Sequence, residues 1–490
     1  MDGEAVWTEQ GSEQGLDHLA MLTPIETHYQ SLLRGFSSVT TRLRNYSFYS
    51  FWVTRYARDI RHSSRDVFEE KTRRVEALYA LASMQRANET GVAGSTFASN
   101  KHALKEDWID FRVDTDLATP KDARYLAPRG GAFPGVYSGQ MTEIGLIGRG
   151  VDHGLPVPKE PAERLAAAYE ASLGNFVDEF FRCAEEGQIS RDALEPMICM
   201  APSALKQDSE EADLLRNLLM GEDGTEASLK RRATLLTILE IAREAKRKKE
   251  TEKITEDMLR WWWVEHEPQG AFSDTHRAWQ HYQVGDMTRL VYEGLLYFLI
   301  STLEEAGRPL TAPELIGYVV APVPEISLSD WLTSLASEDE SLKSSQERSF
   351  SDDASISDIL SPLAHLWMDW RGRLEELSGS FPDTPGHQTC VSELRWIEER
   401  ASLPAKTAIG QLIFERVLRR HFEVAARKFR FQRAYTYLIE TEDARLRPRQ
   451  YLNVSPSGPR LATAIRFLED VDLLHEGKIT TRGEEYLESA

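Results

Sequence analysis

The sequence predicts a mainly α-helical protein of more than one domain, with a glycine-rich irregular or β insert and a winged-helix-like module at its C-terminal end. Three observations carry this expectation. Apolar residues recur every three or four positions through most of the chain, the spacing of helices that bury one face. The length of 490 residues exceeds the size at which a single core stops growing, which favours roughly two to four domains. With 41% hydrophobic and 28% charged residues, the chain has apolar material for packed cores and is not disordered throughout. Five consecutive segments follow from the changes in pattern: a flexible leader over 1–20, an N-terminal helical domain over 21–160 that contains the glycine-rich region, a central helical domain over 161–333, an acidic and serine-rich linker over 334–358, and a C-terminal helical and winged-helix-like domain over 359–490.

Thr23, Pro24 and Glu26 open the first helix. Thr23 is placed to cap free N–H groups, Pro24 suits a first turn, and Glu26 completes a capping box. A longer helix over 39–60 carries Val39, Leu43, Tyr46, Tyr49, Val53, Tyr56 and Ile60 on one face, with Arg42, Arg44, Arg55, Arg58 and Arg61 between them. Ser64 then caps a second helix with Val67, Val75, Leu78 and Ala82 inward, which makes a helical hairpin.

Glycines crowd residues 91–154, where they permit tight turns and close backbone approach. Short β pieces are expected around Tyr137 and Ile144. Helical spacing returns with Leu165, Ala168, Tyr169 and Leu173. Further on, the stripe Leu214, Leu215, Leu218 and Leu219 ends at Gly221, and residues 225–250 form another helix, with Lys246, Arg247, Lys248 and Lys249 at its C-terminal end. Thr311 to Glu314 is a second capping box.

Residues 334–358 are rich in Ser, Asp and Glu and read as a disordered or weakly ordered insertion. Ser361 and Pro362 start the next helix, and residues 378–388 form a loop broken by Gly379, Pro382, Pro385 and Gly386. Phe414, Leu418, Phe422, Ala425 and Phe429 then form one face of a helix. Finally, residues 459–470 form a helix, Leu473 and Leu474 lead through a turn at Gly477, and residues 484–487 form a last helix. This order resembles the second half of a winged helix-turn-helix module.

The formal net charge is −20, which repels nucleic acid and anionic membranes on average, so any such contact requires a local basic site. Cys183, Cys199 and Cys390 are odd in number and far apart, which speaks against a disulfide framework or a cysteine-rich zinc site and for a reducing, cytoplasmic setting. The N-terminus lacks a basic-then-apolar start. The apolar run at 295–300 lies between Arg289, Glu293, Glu304 and Glu305, too close for a membrane span.

The basic stretch 416–433 is the main candidate site. It holds Arg416, Arg419, Arg420, Arg427, Lys428, Arg430 and Arg433 against the single acid Glu423, and Arg445, Arg447 and Arg449 follow. Phosphate contact beside a winged helix is one reading. A solvated face paired with the protein's own acids or an acidic partner is the other. The arginines and aromatics of 39–60 also allow stacking on a single strand, or an amphipathic core helix with a charged rim.

Gly145 to Gly150 matches neither a P-loop nor a dinucleotide fingerprint and reads as a structural loop, although Arg129 and Arg149 flank the region and are able to meet a phosphate. Trp261, Trp262 and Trp263 lie near His266, His276 and His281, whose spacing is not that of a zincin; the tryptophans are better suited to anchoring a domain or partner. Serine-hydrolase and phosphodiesterase motifs are absent, and Glu244 with Lys246 falls on a predicted helix, unlike the strand of a nuclease site. The sequence therefore implies no cofactor and no catalytic residue.

The N-terminal third resembles a group of bacterial proteins encoded in multi-gene restriction or anti-phage defence loci. Thr23 through Gly35, the run Arg44 to Tyr49 with Trp52, Arg73 to Tyr79, Gly91 to Ser95 and Arg129 to Gly131 carry the resemblance. It implies a subunit working beside an ATPase, helicase or nuclease and assigns no residue a role. The expectation is a non-catalytic scaffold that contacts DNA or a partner protein. A kleisin-like adaptor bridging an ATPase and a metal-dependent nuclease with dispersed carboxylates are the alternatives.

Overall fold

Helices dominate the structure, a computed structural model that describes residues 17–150, 154–221, 224–248, 253–336 and 340–489. The chain forms two units from interleaved stretches. One comprises Met1–Tyr29 and Arg260–Ser457, the other Gln30–Leu259 and Gly458–Ala490. The changes in sequence pattern instead suggest consecutive segments. Composition marks changes along the chain, whereas the units are closed by contacts between stretches far apart in it.

The first unit is built around the helix Ser273–Glu305, which is buried on most sides and packs against Ile356–Trp370 and Cys390–Glu398. Within the long helix Arg289 reaches Asp286 and Glu293, so the charges it buries are paired. The helix leads to a three-stranded antiparallel sheet in the order Leu310–Thr311, Arg445–Pro448, Ile439–Glu442. Thr311 and Glu314 form the expected capping box at the start of Ala312–Val320. Among the described residues no helix is long and apolar enough to cross a membrane.

Three expectations for this unit are corrected. Residues 17–20 of the leader are structured: His18, Leu19 and Ala20 are buried, and the Asp17 carboxylate, rather than Thr23, accepts the N–H groups of Met21, Leu22 and Thr23. Residues 1–16 of the leader lie outside the described residues. In the linker, Leu342–Ser349 is a helix capped by Ser341, and Arg348 joins Glu340 and Asp358 across it. The Ser and Asp content that suggests disorder is spent on caps. Residues 337–339 of that linker lie outside the described residues. The helix expected to begin at Ser361 begins at Ile356, where Ser355 and Asp358 form a capping box, and Pro362 lies inside it.

The second unit packs the helix Asn45–Arg55 against Glu160–Leu173. Tyr46, Phe48, Tyr49, Phe51 and Trp52 are all core residues, and Phe48 stacks on Tyr79 with ring centroids 3.7 Å apart. The helix Glu210–Met220 ends at Gly221 as expected, with φ +68°. Glu226–Lys248 packs against the helix Leu461–Asp470, the hairpin of Leu474–His475 with Lys478–Ile479, and the helix Thr481–Ser489. Lys249 lies outside the described residues. The segment 359–490 is thus shared between units, with Ile439–Glu442 and Arg445–Pro448 in the first and everything from Gly458 onward in the second.

The glycine-rich region belongs to the second unit. Its strands are Trp108–Asp110, paired with Gln188–Ser190, and Ile147–Arg149, paired with Pro156–Pro158. Tyr137 ends a π-helical turn and Ile144 follows a helix, so the β pieces lie elsewhere than expected. At Gly131 the backbone takes φ +72°, and a Cβ there would stand 2.1 Å from Glu76 Oε2. That close approach lets the Ala132 and Phe133 N–H groups donate to the buried Glu76 carboxylate at 2.8 Å each.

Candidate nucleic-acid interface

The basic stretch occupies two elements, a π-helical segment Leu412–Leu418 and the helix Arg419–Gln432. The π segment widens the turn, which rotates the residues before it relative to those after it. The buried residues of these two elements are Leu412, Ile413, Val417, Leu418, His421, Val424 and Ala425. Phe414 and Phe429, expected inward, are each 48% exposed, while Leu418 and Ala425 are buried as expected. His421 was missed because a polar side chain breaks the apolar pattern. Its Nε2 accepts the Leu438 N–H at 3.0 Å, which fixes the end of the helix to the strand that follows.

The seven predicted cations divide by environment. Arg416 is turned inward and forms a two-point contact with the fully buried Glu393. Arg420 donates to the carbonyls of Leu19 and Gly386, and Arg427 also donates to Gly386. Lys428 donates to the Asp17 carbonyl at 2.9 Å. Burial holds the Lys428 ammonium below its ordinary value, and the nearby Arg427 lowers it further. Arg420, Arg427 and Lys428 hold the residues around Asp17 and Gly386 against the helix. Arg419 is exposed and pairs with Glu423 at 3.5 Å. Arg430 and Arg433 are exposed and have no ion-pair partner among the described residues. Arg433 ends the helix with φ +58°.

Three aromatic side chains share this end of the helix. Phe431 is 75% exposed, and Phe429 and Tyr435 lie edge to face at 6.0 Å. The arginines of the following strands are engaged. Arg447 pairs with Glu440 and Glu442, Arg449 pairs with Glu440 and lies over the Tyr435 ring, and Arg445 faces Glu314. The guanidinium groups of the basic stretch that are exposed and have neither an ion-pair nor a hydrogen-bond partner among the described residues are thus fewer than the sequence suggests, those of Arg430 and Arg433.

The other candidates resolve into structure. Arg42 pairs with Glu89 and Asp470, and Arg44 with Glu211, all buried, so the aromatics of 39–60 form a core with internal ion pairs and offer no stacking surface. That helix is Asn45–Arg55, followed by a π turn, and Val39 is exposed. Arg129 pairs with Asp66. Trp263 is buried on Trp279, and His276 Nε2 meets the Trp263 carbonyl at 2.9 Å. Among the described residues no group of three or more His, Cys, Asp or Glu side chains is placed to hold a metal ion.

No protein-family model matches the chain, and neither a curated protein nor a solved structure matches it.

Proposed function

We propose that the protein is a non-catalytic subunit of a bacterial DNA-directed complex, acting in defence against phage or plasmid, and that its first unit contacts DNA through a winged-helix arrangement. The observation that carries this reading is the exposed end of Arg419–Gln432, where Arg430 and Arg433 are unpaired among the described residues and lead into an antiparallel hairpin. In a winged helix a short strand and a helix come first, a recognition helix follows, and a hairpin closes the sheet with its second strand beside the first. The strand order Leu310–Thr311, Arg445–Pro448, Ile439–Glu442 matches that sheet, with residues 321–418 inserted between the helix Ala312–Val320 and Arg419–Gln432. The module proposed here therefore lies in the first unit, ahead of the C-terminal hairpin that the sequence reading favoured. The defence setting rests on the resemblance of the N-terminal third.

The test is a salt series on the full chain with a short DNA duplex, comparing wild type with a variant carrying Arg419→Ala, Arg430→Ala and Arg433→Asn. Asn is used at 433 because it tolerates the left-handed backbone. Each lost phosphate contact reduces the slope of log affinity against log salt by about 0.9. An unchanged slope overturns the DNA reading.

A second reading, a protein–protein adaptor, is favoured by Phe431. Exposed aromatic and arginine side chains together have the composition of interface anchors. In that case the same end of the helix binds a partner without nucleic acid, and Phe431→Ala weakens the binding.

A further inference from the structure

A groove of about 720 Å³ opens along the first unit between the C-terminal half of Ser273–Glu305, the turn after Leu342–Ser349, and the chain after the sheet. Its lining includes Tyr297, Phe350 and Tyr451, all exposed. Glu304 and Glu305 stand on the helix side and Asp352 and Asp353 on the turn. None of these four carboxylates has an ion-pair partner among the described residues, and no Lys, Arg or His lines the groove. Of the cations near these carboxylates in sequence, Arg308 is paired with Glu314 and Arg348 with Glu340 and Asp358.

We propose that this groove docks an extended segment of a partner protein that bears lysine or arginine side chains. Charge complementarity selects this occupant. Four unpaired carboxylates beside three aromatic faces match a chain of cations, which gain from the carboxylates as ion pairs and from the rings as cation–π contacts. The same carboxylates repel phosphate, so the groove discriminates against nucleic acid. Asp353 accepts from the Ser351 hydroxyl, which orders the turn that presents it. The Ser355 and Asp358 capping box anchors the turn at its other end. The turn is thus held between two helices with side-chain caps, and a docked segment meets a largely preformed surface.

The experiment uses the full chain and a synthetic peptide of alternating lysine and alanine, followed by fluorescence anisotropy, with an alternating glutamate and alanine peptide as a second probe. One variant carries Glu304→Gln, Glu305→Gln, Asp352→Asn and Asp353→Asn. A charge-matched control carries Glu163→Gln, Glu195→Gln, Glu485→Gln and Glu488→Gln, four exposed carboxylates of the other unit. A third variant, Phe350→Ala with Tyr451→Ala, removes the rings and keeps the charges. The proposal expects the lysine peptide to bind wild type and the control alike, to bind the groove variant roughly tenfold or more weakly, and to lose affinity in the ring variant, while the glutamate peptide fails to bind. Thermal unfolding confirms that each variant is folded. Equal weakening in the groove variant and the control means that the acidic surface attracts the peptide diffusely and overturns the proposal. Unchanged binding in the groove variant, or no binding by wild type, overturns it as well.

Discussion

Arg416 and Glu393 form a two-point ion pair, with Arg416 Nε 3.0 Å from one carboxylate oxygen and the second guanidinium nitrogen on the other. The Glu393 side chain is fully buried and Arg416 only slightly exposed. A residue that the sequence places in a nucleic-acid site is therefore part of the core, joining the helix Cys390–Glu398 to the π-helical segment Leu412–Leu418. Removing one partner strands a buried charge. Arg416→Ala is expected to destabilise the first unit by about 3–5 kcal/mol, measured by chemical denaturation. DNA affinity per folded molecule should be unchanged. A loss of DNA affinity at full stability would return Arg416 to the interface.

The same logic separates the remaining cations. Arg420→Ala and Lys428→Ala release contacts to the backbone around Asp17 and Gly386. They should therefore expose that stretch to limited proteolysis before they alter any salt slope. Arg430→Ala breaks no ion pair among the described residues and should leave stability within about 0.5 kcal/mol of wild type. The opposite pattern, with Arg430→Ala destabilising and Lys428→Ala neutral, would overturn this division of roles.

Much of the helical pattern was legible because caps are local. The Thr311 and Glu314 box, the Gly221 stop and the Glu210–Met220 stripe each depend on residues a few positions apart. The π segment was not legible. Phe414, Leu418, Phe422, Ala425 and Phe429 fit an α-helical face, and nothing within that spacing reports that Leu412–Leu418 is wound more widely. Buried arginines were hidden for a different reason. Arg42 and Arg44 look like a charged rim until Glu89, Glu211 and Asp470, distant in sequence, arrive beside them. The basic stretch was legible as a charge excess, but which of its members stay in solvent depends on Asp17, Gly386 and Glu393.

Gly131 gives a test of the glycine-rich region. Its φ of +72° and the 2.1 Å approach to Glu76 Oε2 leave no space for a methyl group. Burial raises the Glu76 carboxyl to about 7, against the hydrogen bonds from Ala132, Phe133 and Tyr49 that favour its charged form. Gly131→Ala should cost about 2–4 kcal/mol in the second unit, read by denaturant unfolding. Gly139→Ala, at a position with nothing within 4 Å, should cost far less. Equal effects at both positions would show that the glycines serve only to loosen the chain.

His18 and His421 give the pH dependence. Their rings lie 6.0 Å apart, both buried in the first unit. Burial lowers His421 from 6.5 to about 3, with His18 adding to the effect, and lowers His18 from 6.5 to about 4, with Lys428 adding. Folded-state values below the unfolded ones mean that the unfolded chain binds more protons in the interval between them. Stability from these rings is therefore fully present above pH 6.5 and is lost as pH falls toward about 4 for His18 and about 3 for His421. Near pH 5 the loss is roughly 2 kcal/mol per ring. His421→Gln removes one titrating group, and its side-chain oxygen is able to accept the Leu438 N–H in place of Nε2. Its melting temperature should fall less steeply than that of wild type between pH 7 and 5, even if it starts lower. Because Glu76 and Glu293, both raised to about 7, titrate in the opposite sense in both proteins, the difference between the two curves isolates the histidine. Parallel curves would mean that His421 takes up its proton over the same pH range in the folded and the unfolded chain, and that its contact with Leu438 is not an acceptor's.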